Sequence, residues 1–137
     1  CWPVAILALI LCPLVWLLLL PFRLVGIAVS GILHLLWAIL TLGRWFTLTI
    51  QVRPDQAVVQ RGPYRVVRHP SYLGGELFLL GVGLTAGNWL SPVLYAAPWV
   101  AAHAHRIGIE ERALIETLGE PYRAYRERTW RLVPFVW

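Results

Sequence analysis

WPVAILALILCPLVWLLLL, residues 2–20, and LVGIAVSGILHLLWAILTL, residues 24–42, decide the fold. Neither stretch contains a charged residue, and the most polar members of the second are Ser30, His34 and Thr41. As helices rising about 1.5 Å per residue, each spans roughly 28 Å, close to a hydrocarbon core of about 30 Å. They read as two transmembrane spans separated by Pro21, Phe22 and Arg23. A cleaved signal peptide fits the first stretch poorly, because it lacks a basic leading region and a small-residue cleavage site, and a second span follows at once. The chain begins at Cys1 rather than Met, which reads as a trimmed N-terminus.

Working outward, 58% of the 137 residues are hydrophobic, too many for a soluble domain that must cover one modest core. A third apolar stretch runs from Tyr72 to Ala86, interrupted by Glu76. Gly87 and Asn88 read as a turn. A fourth runs from Leu90 to about Ala104 and continues as a polar helix, in which His103, Arg106, Glu110, Ala113 and Thr117 share one face. Gly119 and Pro121 end it, and a short helix from Tyr122 to about Arg128 follows. Pro70 suits the first turn of the third helix, where a missing N–H costs nothing. The expected fold class is all-α: a polytopic membrane protein with about four transmembrane helices. The whole chain, 1–137, forms one membrane domain, with two N-terminal spans in 1–42 and the remainder in 43–137.

All twelve basic residues are Arg, against seven acids, giving a net charge of +5. Five arginines lie in the polar stretch 43–71, six lie from Arg106 onward, and Arg23 stands alone on the other side. The positive-inside rule therefore places both termini and the 43–71 segment in the cytoplasm. Arg123, Arg126, Arg128 and Arg131 are expected at anionic head groups of membrane lipids. A basic, aromatic-bearing solvated face for nucleic acid is missing. Cys1 and Cys12 are too far apart along one helix to bridge, and His103 and His105 point about 200° apart, so neither a disulfide nor a metal site is expected. His34 reads as packed against a neighbouring helix.

The chemistry concentrates in QAVVQRGPYRVVRHPSYLGG, residues 56–75, and RIGIEERALIETLGEPYRAY, residues 106–125. In Gly62, Tyr64, Arg68-His69-Pro70-Ser71-Tyr72 and Gly74, and then Arg106, Glu110-Glu111, Leu114, Gly119, Tyr122, Tyr125 and Pro134, the chain resembles the isoprenylcysteine carboxyl methyltransferase and phospholipid methyltransferase superfamily of integral membrane enzymes. The likeness covers about residues 43–135.

The resemblance implies an S-adenosylmethionine-dependent methyltransferase acting on a lipophilic, carboxylate- or thiol-bearing acceptor at the cytoplasmic membrane face. Its cofactor pocket would be formed by the 43–71 loop and the C-terminal helical segment. Carried over by motif, the cofactor-binding positions are Gln56, Ala57, Val58, Val59, Tyr64, His69, Pro70, Ser71, Tyr72 and Glu110, with Glu111 and Arg68 as further candidates. Arg106 is the substrate contact. Gln56 stands where eukaryotic prenylcysteine enzymes have His; an amide can still donate a hydrogen bond.

The residues support such a pocket on their own chemistry. A buried carboxylate at Glu110 can accept from a ribose diol or an ammonium, and Tyr64 and Tyr72 can stack on adenine or face a sulfonium. Gly62 and Gly74 allow close backbone approach. Arg106 can hold a carboxylate or phosphate with two donors, although with Glu110 four residues on it also reads as an ordinary helix ion pair. The all-Arg, Ala/Leu/Gly-rich composition points to a bacterial inner membrane. Two other readings stand beside this one: an NADPH-dependent membrane reductase of the steroid-reductase type, whose R-H-P-x-Y-x-G-E segment Glu76 resembles, and a non-enzymatic small helical membrane subunit.

Overall fold

The computed structural model describes residues 2–53, 55–86, 88 and 90–137, with the side chains of Pro3, Val4 and Ala8 outside that description. Cys1 and Gly87, on which the expected cysteine spacing and turn partly rest, also lie outside the described residues. Four α-helices follow in order: α1 (Trp2–Leu42), α2 (Pro70–Thr85), α3 (Leu90–Leu118) and α4 (Glu120–Glu127). Two short 3-10 turns, Gly43–Trp45 and Gly62–Arg65, flank an otherwise extended segment.

The two expected N-terminal spans are one uninterrupted 41-residue helix, so the four-span plan becomes three long or mid-length helices and a short fourth. At about 1.5 Å per residue α1 reaches roughly 60 Å, twice a hydrocarbon core. Arg23 interrupts hydropathy but not helical geometry. Pro13 and Pro21 each remove a single N–H donor, and without a Gly or Asn turn beside it a lone proline bends a helix rather than ending it. By length and composition α1 is the one helix among the described residues suited to cross a membrane unaided.

Only the second half of α1 is packed. Gly31 and Ala38 are buried, whereas Leu9, Leu17 and Leu18 are largely exposed. The α1–α2 crossing is close because glycines line it: a Cβ on Gly74 would stand 2.6 Å from the backbone nitrogen of Leu35. Gly74 thus serves helix packing rather than close approach to a ligand. At the far end of the α2–α3 hairpin, a Cβ on Gly83 would stand 2.6 Å from Pro92 Cα. Asn88 caps the start of α3, its Oδ1 accepting from Ser91 N (2.9 Å) and Oγ (3.0 Å). His34 is exposed and turns back on its own helix, with Nδ1 2.7 Å from Ser30 O, instead of meeting a neighbouring helix.

Pro70 opens α2 as expected, and Gly119, at φ +62°, breaks the chain between α3 and α4. The C-terminal tail then folds back to the start of α2. Trp130 N donates to Val66 O (2.9 Å), Arg68 N to Trp130 O (2.8 Å) and His69 N to Arg131 O (3.2 Å), a single parallel bridge of extended chain. This return places residues from four separate parts of the sequence around one cavity.

Candidate functional site

The cavity measures about 380 Å³, within the range of small-molecule sites. Three walls enclose it. The extended segment from Leu42 to Val59 forms one, the start of α2 with Tyr64 a second, and α3 with Tyr122 and Tyr125 of α4 the third. Of the positions singled out in the sequence, Gln56, Ala57, Val58, Val59, Tyr64, Arg68, His69, Ser71, Tyr72, Arg106 and Glu110 line it. Pro70 and Glu111 do not: Pro70 is buried in the first turn of α2, and Glu111 faces away.

One hydroxyl joins two helices. Tyr72 Oη donates to Glu110 Oε2 at 2.8 Å and accepts from Arg106 Nε at 2.8 Å. Arg106 and Glu110 are therefore bridged by Tyr72 instead of forming the direct i,i+4 ion pair that spacing alone allows. Arg106 also donates through Nη2 to Leu48 O, fastening the extended segment to α3. A guanidinium carries five N–H donors; these contacts engage two. Gln56 closes a turn, its Oε1 accepting from Arg53 N at 3.3 Å.

The adjacent acids diverge, as a helical step of about 100° requires. Glu110 faces the cavity. Glu111, 3% exposed, sits behind it among cations: Arg68 Nε (2.8 Å) and His69 Nε2 (3.4 Å) on Oε1, and Arg131 Nη2 (2.8 Å) on Oε2. Burial pushes this carboxyl up. The hydrogen bonds from His69, Arg131 and Arg68, together with the Arg68 charge, outweigh burial and hold it at about 2. Arg131 is thus an ion-pair partner of a buried carboxylate. Arg68 reaches past Glu111 to the carbonyls of Arg126 (2.8 Å) and Thr129, tying the end of α4 beneath the cavity.

Tyrosines complete the floor. Tyr125 Oη donates to Tyr64 O at 2.8 Å. Burial pushes the Tyr125 hydroxyl up to about 12 against the pull of Arg68, so it stays a donor at neutral pH. Burial raises the Tyr64 and Tyr122 hydroxyls as well. Tyr125 therefore belongs to the site's packing.

The cavity also has an apolar lining: Leu42, Trp45, Phe46, Ile50, Trp99 and Ala102. Sequence reasoning named the 43–71 loop as part of the pocket but singled out none of these residues. The extended part of this lining shows neither helical nor strand periodicity, and Trp99 and Ala102 read simply as part of an apolar helix. It also missed His103, whose ring stacks on Tyr72 with centroids 4.6 Å apart and whose Nδ1 lies 2.8 Å from Glu76 Oε1. The i, i+3 step from His103 to Arg106 was the available signal.

The structure is that of a helical membrane protein with one cavity lined by both polar and apolar side chains. Residues 24–116 match the model of the Isoprenylcysteine carboxyl methyltransferase (ICMT) family, and the chain belongs to that family. It is 36% identical over 101 residues to protein-S-isoprenylcysteine O-methyltransferase B of Arabidopsis thaliana, covering 72% of this chain and 51% of the relative. It is 33% identical over 82 residues to protein-S-isoprenylcysteine O-methyltransferase of Schizosaccharomyces pombe, covering 60% of this chain and 35% of the relative. The solved structure of a eukaryotic intramembrane Ras methyltransferase, ICMT, superposes with a TM-score of 0.79 at 28% identity, over 85% of this chain and 43% of that one. The chain spans about half the length, or less, of these relatives.

Proposed function

We propose that the chain is an S-adenosylmethionine-dependent methyltransferase acting on a lipophilic, carboxylate- or thiol-bearing acceptor at the cytoplasmic face of a membrane. The observation that carries this reading is the cavity, whose lining combines the Glu110–Tyr72–Arg106 chain with the apolar side chains of Trp45, Phe46 and Trp99.

The residues present fit such a cofactor. Glu110 keeps Oε1 without a protein partner among the described residues, an acceptor suited to a ribose hydroxyl or an ammonium. Tyr64 and Tyr72 offer ring faces to a purine or a cation. Gln56, Ser71 and the backbone of 57–59 supply neutral polar groups along the same side. When bound, the sulfonium supplies the methyl group. The protein's own part is positioning. Tyr72 fixes the Glu110 carboxylate, Arg106 holds an anionic acceptor head with its remaining donors, and the apolar wall takes the lipophilic tail and excludes water.

Calorimetric titration of detergent-solubilised protein tests the cofactor, and labelled-methyl transfer into a total lipid extract, read by mass spectrometry, tests the reaction. S-adenosylmethionine binds and a methylated lipid forms if the reading holds. Binding of NADPH alone would replace it with the reductase reading, and binding of neither cofactor with a non-catalytic subunit. Glu110→Gln, which removes a charge-assisted hydrogen bond of about 1.5–3 kcal/mol, and His69→Ala weaken cofactor binding by roughly 10- to 100-fold. Arg106→Ala weakens the acceptor instead.

A further inference from the structure

Glu76 and His103 form a second polar pair, outside the motif residues and on the two apolar helices. Glu76 is 8% exposed, in the middle of an otherwise apolar α2. Its Oε1 lies 2.8 Å from His103 Nδ1, and its Oε2 is buried with no partner among the described residues. An uncompensated negative charge is costly at such a place. His103 is the group that meets it, so the pair holds one proton between Oε1 and Nδ1 and carries no net charge. That proton sits on either atom. Whether an imidazolium faces a carboxylate or a neutral imidazole faces a carboxyl, the ring's other hydrogen is on Nε2.

That N–H is not used inside the protein. His103 lines the cavity, and Nε2 makes no hydrogen bond among the described residues, yet is not one of their buried unpartnered atoms. Two aromatic rings hold it: Tyr72 stacks on it with centroids 4.6 Å apart, and Trp99 tilts against it at 5.6 Å. Arg106, three residues farther along α3, donates through Nε to the hydroxyl of the same Tyr72. One tyrosine thus carries a histidine against its ring and a guanidinium at its hydroxyl, and both of these donors line the cavity. The charged or titratable groups around His103 are Glu76 and Tyr72 on α2, with His69 stacked on Tyr72, and Arg106 and Glu110 on α3. Tyr64, Arg68, Tyr122 and Tyr125 complete the titratable lining, and the extended segment 42–59 adds none to it.

We propose that His103, held by Glu76 with an N–H at Nε2 open to the cavity, is a second donor that acts with Arg106 on the acceptor's carboxylate and distinguishes it from the methyl ester it becomes. The inference rests on the methyltransferase reading and adds to it the residues that recognise the acceptor's reacting group. A carboxylate has two oxygens, each with room for more than one donor. One oxygen takes N–H groups from Arg106 and His103. The other forms the new O–CH3 bond as the methyl–sulfonium bond breaks, so that the two opposite charges cancel and leave a neutral ester and a neutral thioether. An ester oxygen accepts a hydrogen bond roughly half as strongly as a carboxylate oxygen. The same two donors therefore hold the reactant and let the product go. Glu76 touches neither; it is a positioning residue that acts through the state of the ring.

The test uses the full chain in detergent without methyl donor, with palmitate and methyl palmitate as probes at equal mole fraction in the micelle. Binding is read by tryptophan fluorescence, since Trp45 and Trp99 line the cavity. The double variant Glu76→Leu, His103→Phe removes both members of the pair, so neither is left buried alone, and keeps an aromatic ring on Tyr72. It lowers palmitate affinity about tenfold at neutral pH and leaves methyl palmitate unchanged. Glu76→Leu alone keeps the ring but not the group that holds its proton. Its palmitate affinity matches the wild type in mild acid and falls toward that of the double variant as the solution is made alkaline; it stands in if the double variant does not fold. A palmitate-to-ester affinity ratio that is the same in the double variant as in the wild type, or a Glu76→Leu profile parallel to the wild type across pH, would overturn the proposal. A ratio that falls as described, with no methyl transfer to palmitate or to any lipid once S-adenosylmethionine is added, would keep His103 as the carboxylate donor and remove the methyltransferase reading.

Discussion

Replacing Glu111 by Gln removes one negative charge from the place where Arg68, Arg131 and His69 converge. The shape is preserved, but two guanidiniums lose their counter-charge inside the protein. The folded-state pKa of about 2 lies below the ordinary 4.5. At about 1.4 kcal/mol per tenfold, the gap corresponds to about 3 kcal/mol of folded-state stability at neutral pH. The figure agrees with the roughly 3–5 kcal/mol typical of breaking one side of a buried ion pair. For a chain of this size it predicts a melting temperature lower by roughly 10 °C. The pH dependence follows from the sign. A depressed carboxyl contributes fully above the unfolded value of about 4.5, and its contribution is lost as pH falls through about 2. Thermal melts in detergent, followed by tryptophan fluorescence, should therefore separate wild type and Glu111→Gln at neutral pH and bring them together as pH drops below about 4. Equal melting temperatures at neutral pH, or a gap that stays constant into acid, would refute the reasoning.

Three other outcomes follow from the same geometry. Tyr72→Phe removes the hydroxyl between Glu110 and Arg106 and should weaken S-adenosylmethionine binding about tenfold in calorimetry, with little change in melting. Gly74→Val forces α1 and α2 apart and should sharply reduce the yield of folded protein by size exclusion, whereas Gly75→Ala, with nothing within 4 Å, should not. Tyr125→Phe deletes the bond to Tyr64 O and should lower stability by about 1 kcal/mol in denaturant melts.

What could be read from the sequence was local. Pro70 at a helix start and Gly119-Pro121 at a helix end mark boundaries through backbone chemistry, and both stand where expected. The order of motif residues also predicted which side chains would gather, since most of them line one cavity. What was not legible depended on long-range contacts. Nothing in Arg131 itself distinguishes it from Arg128, yet the tail's return makes one an internal ion-pair partner of Glu111. Glu110 and Glu111 differ only by helical phase. The continuity of α1 was missed because a hydropathy minimum at Arg23 was read as a chain reversal, although charge has no bearing on helical dihedrals. Glu76 had no local meaning until α3 brought His103 against it.

The parallel bridge between Val67 and Trp130 has a consequence for biosynthesis. The His69 end of α2 is fastened by backbone at Trp130 and Arg131, made far later in the chain. During translation the membrane helices can insert and pair, but the pocket lacks its underside until the tail has left the ribosome. A chain made only as far as α4 would hold the motif residues without the scaffold that aims them, so the site closes only once residues 129–131 have emerged.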